Sequence, residues 1–212
     1  MSEFFNLYGQ KLLIATGQHL LYVVVSVAIA FVIAVMLGIL LSRIPRCAKV
    51  ILPIISVFQT IPGIVFIALL LFLFGMVPQT VITALAIYAI FPILKNTYVG
   101  IIEVPKQYKD AAKGCGMSSM QRLWKVELPL ALPNIIGGLR MSTIYTVSWA
   151  VLASMIGMGG LGDFVYIGVS TNNNTLIIAG AIPAAVMAVA LSGLISLLQR
   201  SLTPKALRRN EK

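Results

Sequence analysis

The stretch PKQYKDAAKGCGMSSMQRLWKVELPLALP, Pro105 to Pro133, is the longest polar segment in a chain that is otherwise almost continuously apolar. It reads as two short helices around a glycine elbow. Pro105 suits a first helical position, where its missing N–H is an orphan anyway, and Tyr108, Ala111 and Ala112 share a face at three- and four-residue spacing. Gly114 and Gly116 break that helix. Ser118 with Gln121 has capping-box form and starts a second one, with Met120, Leu123, Trp124 and Leu128 on one side and Gln121, Arg122 and Lys125 mostly on the other. Pro129 is expected to end it, because a proline disfavours helix in the residue before it.

Around this island the 212 residues are 59% hydrophobic and 10% charged, with a mean hydropathy of +0.97, values of a polytopic membrane protein rather than a soluble core. Charge-free runs, divided at Gly75-Met76-Val77-Pro78 and at the polar Thr171 to Thr175, place five membrane-spanning helices at about 19–42, 51–74, 78–95, 134–156 and 176–199 of one domain covering 1–212. With that count, all of the 16 Lys and Arg except Lys11 fall on one side of the membrane. A missed helix would scatter them. Basic residues collect in cytoplasmic loops, so the expected fold is all-α and integral to a prokaryotic cytoplasmic membrane, with the N-terminus outside and the polar segment and tail inside. The net charge of +10 is then a membrane feature and implies no nucleic acid. Met1 to Lys11 reads as an interfacial helix at the outer surface, not as a cleavable signal.

Catalytic and phosphate-binding signatures do not occur. No G-x-x-x-x-G-K-[ST], H-E-x-x-H or G-x-S-x-G is found; Gly157 to Gly162 is glycine-rich but has neither the lysine nor the hydroxyl. His19, the sole histidine, reads as a polar residue at the outer mouth of the first span. Cys47 and Cys115 lack metal-ligand spacing, and no metal, cofactor or enzymatic activity is expected.

Asp110-Ala111-Ala112, Gly116 and Val126-x-Leu128-Pro129 resemble the EAA signature of ABC importer membrane subunits: glutamate-alanine-alanine, three residues, glycine, nine residues, isoleucine-x-leucine-proline. Every spacing matches. Aspartate stands for glutamate and valine for isoleucine, swaps that keep charge and apolarity. Further runs, Phe58 to Gly63, Pro92 to Tyr98, Gly157 to Asp163 and Ala179 to Pro183, are similar to permeases of osmoprotectant importers for glycine betaine, carnitine or choline, while importers of methionine share similar glycine-rich loops. The resemblance implies a type I ABC importer permease fold. It also implies coupling residues Asp110, Ala111, Ala112, Gly116, Val126, Leu128 and Pro129 within a cytoplasmic segment at 105–129, docked on an ATPase present in two copies. A second permease chain, the same or homologous, and an extracytoplasmic substrate-binding protein complete the implied partners. A passive channel built from five helices is the rival from another class.

Candidate residues for the translocation path are Gln59 and Thr60 beside Pro62, and Ser142, Tyr145, Thr146 and Trp149, whose spacing lets one helix face hold them. Two roles fit such a face. Aromatic rings attract quaternary ammonium solutes, and small polar and aromatic residues also glue membrane helices together.

Overall fold

The computed structural model describes residues 2–202, so Lys205, Arg208, Arg209 and Lys212 of the basic tail lie outside the described residues. Every regular element is helical: α1 (Ser2–Arg43), α2 (Pro45–Phe58), α3 (Gly63–Phe74), α4 (Pro78–Ile102), α5 (Lys106–Gly114), α6 (Ser119–Arg122), α7 (Leu128–Ala153), α8 (Leu161–Ser170) and α9 (Asn174–Leu202), with π-helical turns at Leu123–Glu127 and Ser154–Met158. Four helices among these are long and apolar enough to cross a membrane, or five when the bent α2–α3 pair is taken as one span.

The centre of the bundle is α4, which packs along α1 on one side and α7 on the other. Small residues permit the approach. A Cβ on Gly38 of α1 would meet Thr97 at 2.7 Å, and one on Gly138 of α7 would meet the Pro92 carbonyl oxygen of α4 at 2.9 Å. Around these contacts Ile93, Leu94, Leu85 and Val81 of α4 are fully buried. Membrane helices gain little from hydrophobicity against lipid, so close packing and interhelical hydrogen bonds hold them. Ser26 Oγ donates to the Ile82 carbonyl at 3.0 Å and Ser142 Oγ to the Ala89 carbonyl at 2.8 Å.

Four sequence expectations are corrected. The segment at 51–74 is not one helix: α2 and α3 meet at 89° around Gln59 to Pro62, where Pro62 offers no N–H and adopts ψ 123°. Of the run read as an interfacial helix at Met1 to Lys11, Met1 lies outside the described residues and Ser2 to Lys11 forms no separate in-plane element, since α1 runs unbroken for 42 residues, roughly 60 Å, about twice the thickness of the hydrocarbon core. Pro129 ends nothing; it sits in the first turn of α7, and the π turn before it widens the backbone so that the chain stays helical from Ser119 to Met158. His19 is fully buried, its Nε2 3.2 Å from the Val147 carbonyl oxygen, because the Gly159-Gly160 turn folds over it, leaving a Cβ at Gly160 only 3.4 Å from Nδ1.

Candidate functional site

The polar segment folds as an exposed elbow between α4 and α7. Lys106–Gly114 is helical with Pro105 as its N-cap, and Gly116 takes φ +76°, a conformation in which a side chain is strained even though open space surrounds it. Ser118 and Gln121 close a reciprocal capping box, with bonds of 2.9 and 3.3 Å. Asp110, Ala111 and Gly116 are exposed, Ala112 is buried, and Val126, Leu128 and Pro129 are half-buried. Among the described residues Asp110 pairs only with Lys113 of its own helix, at 3.9 Å, an exposed pair worth little. Its carboxylate is open to a partner.

The elbow is fastened to the bundle at two places that the sequence reading had not singled out. Lys109 Nζ donates to the Ile101 and Ile102 carbonyls at 3.0 and 3.1 Å, capping the end of α4. Glu127, fully buried, accepts from Arg43 at the end of α1 and from Arg122 Nε at 2.8 Å. One carboxylate therefore joins the first long helix to the elbow. A buried acid demands partners of this kind, and Glu127 between Val126 and Leu128 in an apolar run was the available signal. Beside this cluster, Met36, Leu37 and Leu40 of α1 and Met120, Leu123 and Trp124 line an apolar groove of about 640 Å³.

The candidate path residues divide. Ser142 and Thr146 are buried in the seam between α7 and α4, with Thr146 Oγ1 bonded to the Ser142 carbonyl at 2.8 Å; they face no open surface because Cβ directions at i and i+4 point them together into that seam. Trp149 stacks on Tyr88, with ring centroids 5.1 Å apart, and Tyr88 meets Phe66 edge-on at 5.2 Å. The indole also fills the space that a side chain at Gly63 would take: a Cβ there would lie 2.0 Å from it. Gln59 Nε2 donates to the Tyr88 carbonyl at 3.1 Å, and Tyr88 Oη to the Ile61 carbonyl at 2.8 Å, so the bend is tied to α4 by one side chain from each. Thr60 and Tyr145 stay exposed.

A family model described as binding-protein-dependent transport system inner membrane component matches residues 15–208. The chain belongs to that family. It is 38% identical over 98% of its length to a glycine betaine/carnitine/choline transport system permease protein of Bacillus subtilis (strain 168), covering 96% of that protein. It is 39% identical over 97% of its length to a carnitine transport permease protein of Listeria monocytogenes, covering 94% of it. Among solved structures, an inward-facing conformation of the MetNI methionine ABC transporter superimposes with a TM-score of 0.83 at 21% identity, over 92% of this chain and 97% of that one; this likeness shows the fold alone. The protein is thus a multi-pass membrane permease of type I importer fold. Permease subunits of this family are not catalytic, which agrees with the missing phosphate-binding signature.

Proposed function

We propose that this chain is the permease subunit of an ATP-driven importer of osmoprotectants such as glycine betaine, carnitine or choline. The observation that carries the coupling half is the exposed elbow at 105–129, where the EAA-spaced Asp110, Ala111 and Gly116 face solvent on a segment fastened to both α1 and α4. The substrate half is supported by the solutes for which relatives matching nearly the whole chain are named. In this reading the N-terminus is outside and the elbow and C-terminal end are inside. A separate ATPase, in two copies, docks on the elbows of two permease chains, and an extracytoplasmic binding protein delivers the solute.

Closure of the ATPases pushes on α5. Lys109 passes the displacement to α4, and the Arg43–Glu127–Arg122 cluster passes it to α1, so the two packed partners of the central seam move with the elbow as a rigid body. The bend at Gln59 to Pro62, with Thr60, Tyr145 and the edge of Trp149 nearby, is the surface we assign to the path. Ser142 and Thr146 belong to helix packing instead.

Uptake of labelled glycine betaine, carnitine and choline by cells expressing the full transporter tests the substrate. Asp110→Lys and Gly116→Leu test the coupling. Both variants are expected to insert normally and to lower ATPase co-purification and uptake at least tenfold; wild-type uptake by both would remove the docking role. Uptake that persists when the ATPase is deleted would replace the importer with a passive channel.

A further inference from the structure

The outer end of the bundle holds a cleft of about 290 Å³ between the extension of α1 and α8, and polar and aromatic groups gather in it. Its walls carry Tyr8, Lys11 and Gln18 from α1 and Asp163 and Phe164 from α8. The rings of Tyr8 and Phe164 meet edge-on, 6.4 Å between centroids at 73°. Asp163 is half-buried, and desolvation holds its carboxyl above its ordinary value. Among the described residues no ion pair joins Asp163 or Lys11 to a protein partner. Opposite charges therefore stand on the walls of one cleft with neither held in an ion pair among the described residues. This contrasts with the cytoplasmic side, where the buried Glu127 is paired twice.

A cleft lined by a carboxylate, aromatic rings, an amide and a lysine has the complement of a small zwitterion. Aromatic faces together with an anion hold a quaternary ammonium, and an ammonium such as that of Lys11 holds a carboxylate. We infer that this cleft is an outer binding site for a trimethylammonium zwitterion, with Asp163, Tyr8 and Phe164 taking the cation and Lys11 and Gln18 the anion. The site is distinct in its lining from the path proposed at the α2–α3 bend: its walls come from α1 residues before His19, Gly160, α8 and Leu176, and include none of Gln59, Thr60, Tyr145 and Trp149. Its assignment rests on the osmoprotectant reading. It gives the importer a place to hold solute between release by the binding protein and entry to the path.

The same headgroup chemistry occurs on choline phospholipids, so the test separates the two sources. The complete permease–ATPase complex, without binding protein or ATP, is placed in nanodiscs of phosphatidylglycerol and titrated with glycine betaine and with choline by calorimetry. Wild-type complex is expected to bind both. Asp163→Asn should weaken both at least tenfold, whereas Lys11→Gln, at an exposed position that folding does not need, should weaken glycine betaine at least fivefold and leave choline within twofold. Absence of binding, or binding that neither substitution alters, overturns the site. Discs containing phosphatidylcholine provide the lipid arm: saturation there, with no binding of free glycine betaine in phosphatidylglycerol discs, assigns the cleft to a headgroup and overturns the solute site. Uptake by the wild-type transporter is measured in parallel. Normal osmoprotectant uptake with no binding removes the cleft and leaves the permease reading standing, while no uptake of any trimethylammonium solute removes that reading and the site with it.

Discussion

The two ends of the bundle are held together by opposite means. At the elbow end charged side chains reach across between elements, Arg43 and Arg122 to Glu127 and Lys109 to the last carbonyls of α4. At the opposite end, around α8, the backbone itself is pressed close where side chains are missing. A Cβ on Gly162 would stand 1.9 Å from the Val151 carbonyl oxygen and one on Gly180 2.6 Å from that of Leu161, while Gly157, Gly159 and Gly160 all take positive φ. Charged links tie separate elements together across the gaps that long side chains span. Glycine contacts tolerate no displacement at all, and they leave a polar group such as His19 Nδ1 buried without a partner. The proposed docking of a partner at the elbow end and of solute at the other sets different demands on the two ends, and their chemistry differs accordingly.

The sharpest way to break this contrast is at Glu127. Removing the carboxylate by Glu127→Ala leaves two guanidiniums facing each other in a partly desolvated pocket, and losing one member of a buried ion cluster typically costs about 3 kcal/mol or more. Uptake should fall to background, and the thermal midpoint of the purified complex should drop by several degrees. Glu127→Gln keeps the shape and some hydrogen bonding, so it should be milder in stability yet still impaired in transport. A wild-type midpoint for Glu127→Ala would mean that the link bears no force.

Gly162→Ala probes the other end with a smaller effect. Its methyl has no room, since the nearest atom is backbone rather than a flexible side-chain tip, and overpacking of this kind costs about 1–3 kcal/mol. Gly114→Ala is the control. Nothing lies within 4 Å of a Cβ there, so its midpoint should stay within the small range of surface substitutions, about 0.5 kcal/mol. Equal tolerance at both positions would contradict close packing around α8.

What the sequence discloses follows the same division. Capping by Ser118 and Gln121 and the break at Gly114 and Gly116 are local rules, and the structure shows both. The bend at Gln59 to Pro62 was signalled by Pro62 but obscured by hydropathy, because α2 and α3 together have the length of a span and neither alone does. Pro129 misled for the converse reason: proline ends a helix only if the preceding turn cannot widen, and here it is a π turn. Partnerships across long sequence distance were not legible at all. Nothing in the run Leu123 to Pro129 says that Glu127 will find Arg43, 84 positions away, nor that Trp149 will fill the place of a side chain at Gly63.

The least disruptive test concerns the face at Ser142, Tyr145, Thr146 and Trp149, which periodicity grouped and packing divides. Ser142, wholly buried, donates across to α4; Ser142→Ala should therefore lower stability by about 1 kcal/mol and change uptake only in proportion. Tyr145 is 49% exposed. Its truncation to alanine removes little packing, so the midpoint should move by no more than about 0.5 kcal/mol. Any loss of uptake by Tyr145→Ala then reports contact with the solute or with the facing permease chain, not a weakened fold. Tyr145→Phe separates those sources, because the ring that attracts a quaternary ammonium is kept while the hydroxyl is lost. Full uptake by Tyr145→Phe with a severalfold loss for Tyr145→Ala would place the ring on the path, whereas full uptake by both would move the path away from α7 and leave the α2–α3 bend as its remaining wall.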